Sequence, residues 1–439
     1  MLLTAALLTA APPAFPPPKS LGPTATYGRH LARSMHLLAT STPERRNTVR
    51  VLFYGQSITE QAWTKAVTAD LRARFPHSDL VIENRAIGGH SSQKLVRTAD
   101  ADLYPFRPDL VIFHVYGAHD DYEAIVRRIR ERTCADVLQQ TDHLGATDAV
   151  DEETDPNKLS MRQWNPWMNA AHLPAVSRKY GTELADVRGL WKQYLRDHGL
   201  KPQALLRDGV HLNAHGDFLM AEIVKAYLRP TPDADLKQWA DRVKTVPFAG
   251  ELRFTGTRVD AAVTAGGGEV RIDGKKPSEL PGVYATTRPT AYPGSNWPCL
   301  LSVGAATPRV AEEWTLTVTE LGDDHKTGKF TLAGSVTGPD GAGQVGRAFR
   351  SPSGRVVLDP KDWNLDYCKA VFKRPLPLPF AVKWRSYVQG VDTLPATPGT
   401  VTLVDGLPPG EHTLTVTGGG VASVTVYHPA GRPRPGESP

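Results

Sequence analysis

The stretch VRVLFYGQSIT, residues 49–59, decides the fold. Val49-Arg50-Val51-Leu52-Phe53-Tyr54 is a β-branched and apolar run. It ends at Gly55 and a short polar turn, Gln56-Ser57-Ile58-Thr59, before a helical pattern begins. Strand, glycine turn and helix in that order predict the first unit of a parallel sheet. Ser57 then stands at the top of the sheet near a helix N-terminus, where its backbone N–H faces a ligand. Taken alone, this serine is more readily a helix cap than a nucleophile.

Four further runs read as strands, at 80–83, 110–115, 135–139 and 183–187. Helical periodicities fall around them at about 60–74, 92–100, 120–133, 166–180, 189–197 and 214–228. This alternation predicts a three-layer α/β/α domain over residues 28–230, built on a five-stranded parallel sheet. Ligands of such sheets bind beyond the carboxyl ends of the strands, so the residues just after each strand are the candidates for chemistry. Arg229-Pro230-Thr231-Pro232 breaks the last helix, and residues 231–249 are predicted to form a linker, helical in part. From 250 to 429 alternating Val, Thr and Leu runs between Gly and Pro predict an all-β sandwich domain, jelly-roll or immunoglobulin-like. Residues 430–439 read as a disordered tail, and residues 1–27 as a secretory signal peptide with a flexible lead, although no Lys or Arg precedes the apolar stretch. Export to the periplasm or the medium is the corresponding expectation.

Composition excludes several classes. Of 439 residues, 40% are hydrophobic and 22% charged, ordinary usage for a folded chain. The 51 basic residues exceed the 46 acidic ones only slightly, and the densest basic patch, Arg127, Arg128, Arg130 and Arg132, is interrupted by Glu131 on a solvated helix face. That gives no footprint for nucleic acid. No segment has the roughly 20 apolar residues needed to cross a bilayer, so no membrane partner is expected. The three cysteines cannot form a disulfide framework: Cys134 reads as a buried small hydrophobe, while Cys299 and Cys368 have the option of one bridge. No Cys/His spacing suggests a metal site, and no cofactor is expected.

Three more segments follow predicted strands or precede the last helix. Asn84-Arg85-Ala86-Ile87-Gly88-Gly89-His90-Ser91 brings glycines whose N–H groups can approach a developing oxyanion, though such a pair is often only a turn. Gly117-Ala118-His119-Asp120 offers the His119 ring as a further donor. In Asp208-Gly209-Val210-His211, an acid three residues before a histidine can hold Nδ1–H and leave Nε2 facing a serine hydroxyl.

In this order and spacing the four segments resemble the conserved blocks of the SGNH/GDSL hydrolase family, over roughly residues 48–228. The resemblance implies a flavodoxin-like α/β domain, with Ser57 as nucleophile and Asp208 and His211 as acid and base. It also implies an oxyanion hole from Ser57, Gly89 and His119. Two positions depart from the pattern. Gln56 stands where many members have Asp, and His119 stands where an asparagine is usual, which changes the reach of the third oxyanion donor. Gln56, Gly88, Asp120, Asp142, His143, Trp164 and Trp167 are candidate substrate-binding residues, the tryptophans because aromatic faces suit sugar rings.

The leading expectation is a carbohydrate O-acetylesterase acting on a small-molecule or glycan ester. Two alternatives stay open: a glycoside hydrolase on the same scaffold, using groups such as His119, Asp120, Glu123 and Asp142, and a non-catalytic glycan-binding protein.

Overall fold

The structure is a computed structural model that describes residues 15–232 and 236–430. Its first sheet is parallel, with strands β1 (Thr48–Gly55), β2 (Asp79–Asn84), β3 (Leu110–His114), β4 (Asp136–Gln140) and β5 (Glu183–Ala185) in the order β2-β1-β3-β4-β5. Every residue of β3 and β4 is buried, as expected for strands covered by helices on both faces. The covering helices are α1 (Ala32–Ala39), α2 (Trp63–Arg74), α3 (Ser92–Asp102), α4 (His119–Arg132), α5 (Trp164–Trp167), α6 (Leu173–Tyr180), α7 (Val187–Asp197) and α8 (Ala214–Tyr227). Strand order reverses at β1, with β2 on one side and β3 on the other, so the turn carrying Ser57 lies at the topological switch point where such sheets bind ligands.

Several expectations shift in detail. The helix expected from residue 60 begins at Trp63, because residues 56–62 form consecutive turns that start with Thr59 N–H donating to Gln56 O at 2.8 Å. The helix expected over 166–180 is broken by a π-helical turn, Met168–His172. Residues 1–14 and 431–439, which hold the core of the expected leader and most of the expected tail, lie outside the described residues. The rest of the expected lead is packed: Phe15 stacks on His215 at 4.5 Å and Tyr27 stacks on Tyr227 at 3.7 Å. Cys134 is buried as expected, and all three cysteines are free. Among the described residues no helix is long and apolar enough to cross a membrane.

The region read as linker holds helix α9 (Leu236–Arg242) and then strand β6 (Val243–Pro247), which already belongs to the β region. That region divides into two parts. Strands β7 (Glu251–Thr255), β8 (Arg258–Ala265) and β9 (Glu269–Ile272) are followed by β10 (Tyr284–Thr286), β11 (Glu312–Leu321), β12 (Gly328–Gly334), β13 (Gly338–Gln344), β14 (Phe349–Arg350), β15 (Val357–Leu358), helix α10 (Leu365–Phe372) and β16 (Phe380–Val388). Strands β17 (Gly399–Asp405), β18 (Glu411–Thr417) and β19 (Gly420–Tyr427) are the last elements among the described residues. The sheets β17-β8-β19-β6 and β7-β18-β9 share one apolar core and form the sandwich. The antiparallel sheet β10-β16-β11-β12-β13 is a separate insert between β9 and β17.

That insert docks on α3. One buried apolar cluster runs from Leu52, Tyr54 and Val96 of the α/β domain into Trp297, Trp314, Trp363 and Trp384 of the insert. Arg97 pairs with Asp362 at 2.7 Å and Arg288 with the buried Asp102 at 2.7 Å across the same seam. A continuous core of this kind makes the insert a fixed wall of the α/β domain and not a tethered module.

Candidate functional site

Gly55 ends β1 where no side chain fits: a Cβ there would lie 2.2 Å from His114 O and 2.4 Å from Thr59 Oγ1. The chain therefore turns at once, and Ser57 projects from the sheet edge. Its Oγ lies 2.9 Å from His211 Nε2, and His211 Nδ1 lies 2.9 Å from Asp208 Oδ2. Asp208 Oδ1 accepts from the backbone N–H of Val210 and of His211, both at 2.8 Å, which fixes the carboxylate beneath the ring. Those two backbone bonds, that of His211 foremost, hold the Asp208 carboxyl at about 2, well below the usual carboxylate range. With Nδ1–H committed to Asp208, Nε2 is left to accept the Ser57 proton.

The loop carrying Asp208 and His211 is closed by Arg207 N–H on His211 O at 2.9 Å and by Asn213, whose side chain caps α8 through the N–H groups of His215 and Gly216. Gln61 ties this loop to the Ser57 turn: its Nε2 donates to Leu212 O at 3.0 Å and its Oε1 accepts Leu212 N–H at 3.2 Å. Sequence reading passed over Gln61, since its partners are backbone atoms about 150 residues away.

Gly88 and Gly89 arrive from β2. A Cβ built on Gly88 would stand 3.5 Å from Ser57 Cβ, so the two turns touch. Gly88 N–H donates to Glu60 Oε1 at 2.9 Å, and Gly89 has φ +73, a left-handed conformation that favours glycine. Among the described residues no protein acceptor takes the N–H of Ser57 or of Gly89. Two free backbone donors beside a serine hydroxyl can stabilise a negative oxygen. The insert holds this loop from outside: Trp297 lies over Gly89, Tyr367 OH donates to Gly89 O at 2.9 Å, and Asn296 Nδ2 donates to Glu60 Oε1 at 2.9 Å. None of these three residues carries a signal in the sequence.

Other expected residues fall elsewhere. His119 begins α4 with its Nε2 3.1 Å from Asp120 Oδ1 and its ring against Trp167 and His172. None of its hydrogen bonds, ion pairs or ring contacts joins it to Ser57, Gly89 or His211. The Asp120 side chain is 89% exposed, and Trp164 and Trp167 are half-buried. Gln56 is buried at the start of the Ser57 turn, and Gly88 N–H is bound to Glu60. Asp142 and His143 do not line the site. Asp142 is buried, bonded to His114 Nε2 at 2.7 Å and to Asn169, and the buried His143 donates Nε2–H to Val210 O at 2.7 Å. Glu123 is bonded to Lys179 and Tyr180; burial raises its carboxyl, but these two bonds outweigh it and hold it below the usual range. A glycosidase acid needs the opposite shift. Among the described residues no group of His, Cys, Asp and Glu could hold a metal ion.

His143 links this loop to acid stability. Burial pushes its imidazole down to about 4, against the upward pull of the Val210 hydrogen bond. The unfolded ring titrates near 6.5, so between these values the native state binds fewer protons than the unfolded one. Stability is therefore full above about pH 6.5 and declines as pH falls through about 4. The midpoint of thermal unfolding is expected to drop across that window. His143→Gln, which keeps a donor for Val210 O without a titrating ring, is expected to make the drop shallower; an unchanged slope would exclude His143 as a source.

Fold and site together define a class: a parallel-sheet α/β/α domain that presents a Ser-His-Asp array at its strand ends. Residues 53–217 match the model of the GDSL-like lipase/acylhydrolase family, a match that supports an ester-hydrolysing enzyme. No curated protein matches the chain. Among solved structures, an α/β hydrolase, LAE5, from the metagenome of Lake Arreo is 18% identical, covering 43% of this chain and 98% of its own, with a TM-score of 0.34. The acetylxylan esterase Axe2 from Geobacillus stearothermophilus is 16% identical over 42% of this chain and 95% of its own, with a TM-score of 0.35. The acetyl xylan esterase AlAXEase is 20% identical over 40% and 98%, with a TM-score of 0.33. At these identities and scores they say nothing of this chain's substrate.

Proposed function

We propose that the protein is a serine esterase that removes short acyl groups, acetyl first among them, from a carbohydrate ester. The observation that carries the reading is the hydrogen-bonded run Ser57 Oγ, His211 Nε2, His211 Nδ1 and Asp208 carboxylate, with two unclaimed N–H groups beside it. Ser57 Oγ attacks the ester carbonyl while His211 Nε2 takes its proton and Asp208 holds the ring. The tetrahedral oxygen is stabilised by Ser57 N–H and Gly89 N–H. The imidazolium then protonates the departing sugar alkoxide, and water activated by His211 releases the acid from Ser57.

The lining of the groove supports the substrate class. Around Ser57 the polar side chains of Glu60, Gln61, Arg207, Asn213 and Asp217 outnumber the small or apolar ones of Ala62, Leu212 and Ala214, a lining better matched to a polar, hydroxyl-bearing substrate than to a long acyl chain. His211 and Asp208 are 32% and 50% exposed, which leaves access for the bulky alcohol half of a polymer-borne ester. Acetate released from acetylated polysaccharides, compared with release of long-chain acids from triglyceride, is the test. Acetate without fatty acid is expected; the reverse preference, or no acetate across a broad glycan panel, would refute the substrate class.

A further inference from the structure

His90 directly follows the glycine pair and takes no part in the mechanism above. It is fully buried, edge-on to the Trp297 ring at a centroid distance of 4.8 Å. Its two ring nitrogens meet two different groups. Nδ1 faces Gly88 O at 3.3 Å, and Nε2 faces Asn364 Nδ2 of the insert at 3.4 Å, both at the long end of the hydrogen-bond range.

The protonation pattern of this chain of contacts follows from its far end. Lys94 Nζ donates to Asn364 Oδ1 at 2.8 Å, which can only be an acceptor, so the amide presents its NH2 to the other side. There it donates one hydrogen to Pro298 O at 2.9 Å, and the other is shared between His90 Nε2 at 3.4 Å and Cys368 Sγ at 3.5 Å. A donor facing Nε2 makes that nitrogen the lone-pair side of a neutral ring and puts the proton on Nδ1. The neutral form is secured by burial, with the Lys94 cation acting in the same direction; together they hold the imidazole down at about 3 despite the bond to Gly88. Nδ1–H therefore donates to Gly88 O.

Gly88 O belongs to the same planar peptide as Gly89 N–H, and the two point in opposite directions across a trans bond. Whatever fixes the carbonyl aims the amide. A glycine pair with a left-handed second residue has little rotational restraint of its own, so the aim of that N–H has to be imposed from outside.

We propose that His90 and Asn364 are positioning residues for the oxyanion hole: Asn364 sets the tautomer of His90, and His90 Nδ1–H anchors Gly88 O so that Gly89 N–H is aimed at the reacting oxygen. The inference rests on the esterase reading above and on Gly89 N–H as a donor in it. It gives the β insert a part in catalysis without contact with the substrate. Removing one oxyanion donor typically costs about 100–1,000-fold in rate, so a donor left in place but unaimed should cost about 10–100-fold.

The test compares two variants of the full chain with 4-nitrophenyl acetate as probe. His90→Leu fills the ring's space without a donor; His90→Asn leaves more empty space but places an amide N–H near the Nδ1 position. His90→Leu is expected to lower kcat about 10–100-fold with KM nearly unchanged, and His90→Asn to stay within about fivefold of the original kcat despite its larger cavity. Equal losses in the two variants, or a His90→Leu kcat near that of the unaltered chain, would overturn the proposal. Nitrogen-15 NMR of the unaltered protein reads the tautomer independently of any variant's folding: Nδ1 protonated and Nε2 bare is expected, and the opposite pattern would overturn it. Ser57→Ala serves as the control. If it keeps full activity, the esterase reading itself fails; if it is inactive while His90→Leu is not, only the present inference fails.

Discussion

Ser57→Ala is expected to lower kcat for ester hydrolysis by about 10,000-fold or more, with thermal stability within a degree or two of the original chain. Loss of the nucleophile in serine hydrolases of this logic costs as much as loss of the whole triad, on the order of a millionfold in the best-measured case. Among the described residues the hydroxyl's one side-chain partner is His211 Nε2, at 2.9 Å, and Ser57 is only half-buried. Its removal leaves no cavity and strands no buried donor, so a large loss of rate with an unchanged fold separates chemistry from structure. The comparison is made by initial rates on 4-nitrophenyl acetate and by calorimetry on the same samples. Residual activity above one part in a hundred would mean that another group performs the attack.

The second large effect is expected at Gly89. Gly89→Ala combines two faults. Its φ of +73 is a conformation L residues rarely adopt, and the new Cβ would lie 2.4 Å from Trp297 Cζ2, inside any real contact distance. Either the glycine turn or the tryptophan must give way, and Trp297 is clamped by Tyr367 and Phe372, at ring distances of 4.9 Å each. The turn will move, and the Gly89 N–H with it. A fall in kcat of about 100–1,000-fold is expected, with KM changed much less. Adding Trp297→Ala to Gly89→Ala should recover part of the rate, because it removes the clash but not the backbone strain. A double variant no better than the single one would place the whole effect in the backbone; a single variant within threefold of the original would remove Gly89 from the oxyanion hole.

What the sequence disclosed follows from the range of the forces involved. Val51 to Tyr54 is legible as a strand because a parallel strand covered on both faces writes its burial as an unbroken apolar run. Asp208 and His211 are legible because an Asx-type turn and a cap at Asn213 are local hydrogen bonds encoded within a few residues. Asp142 and His143 have the same polar character but point inward, since His114 and the Val210 carbonyl wait for them there, and no local pattern shows where those partners are. Trp297, Asn296 and Tyr367 reach Gly89 and Glu60 across more than 200 residues of chain. Strand β6 was hidden because five residues of an edge strand, directly after a helix, carry almost no periodicity of their own. The division of the β region into sandwich and insert is likewise a matter of which strands pair, and alternation alone does not record pairing.

The central claim is that Ser57 is a nucleophile activated by His211. Incubating the folded, full-length protein with a fluorophosphonate, followed by peptide mass spectrometry and a residual-activity assay, tests it in one experiment. One phosphonyl group per chain is predicted, on the peptide containing Ser57, with activity lost in proportion to labelling and with no labelling of His211→Ala at the same dose. Labelling at another serine, or full ester hydrolysis by protein labelled at Ser57, would contradict it.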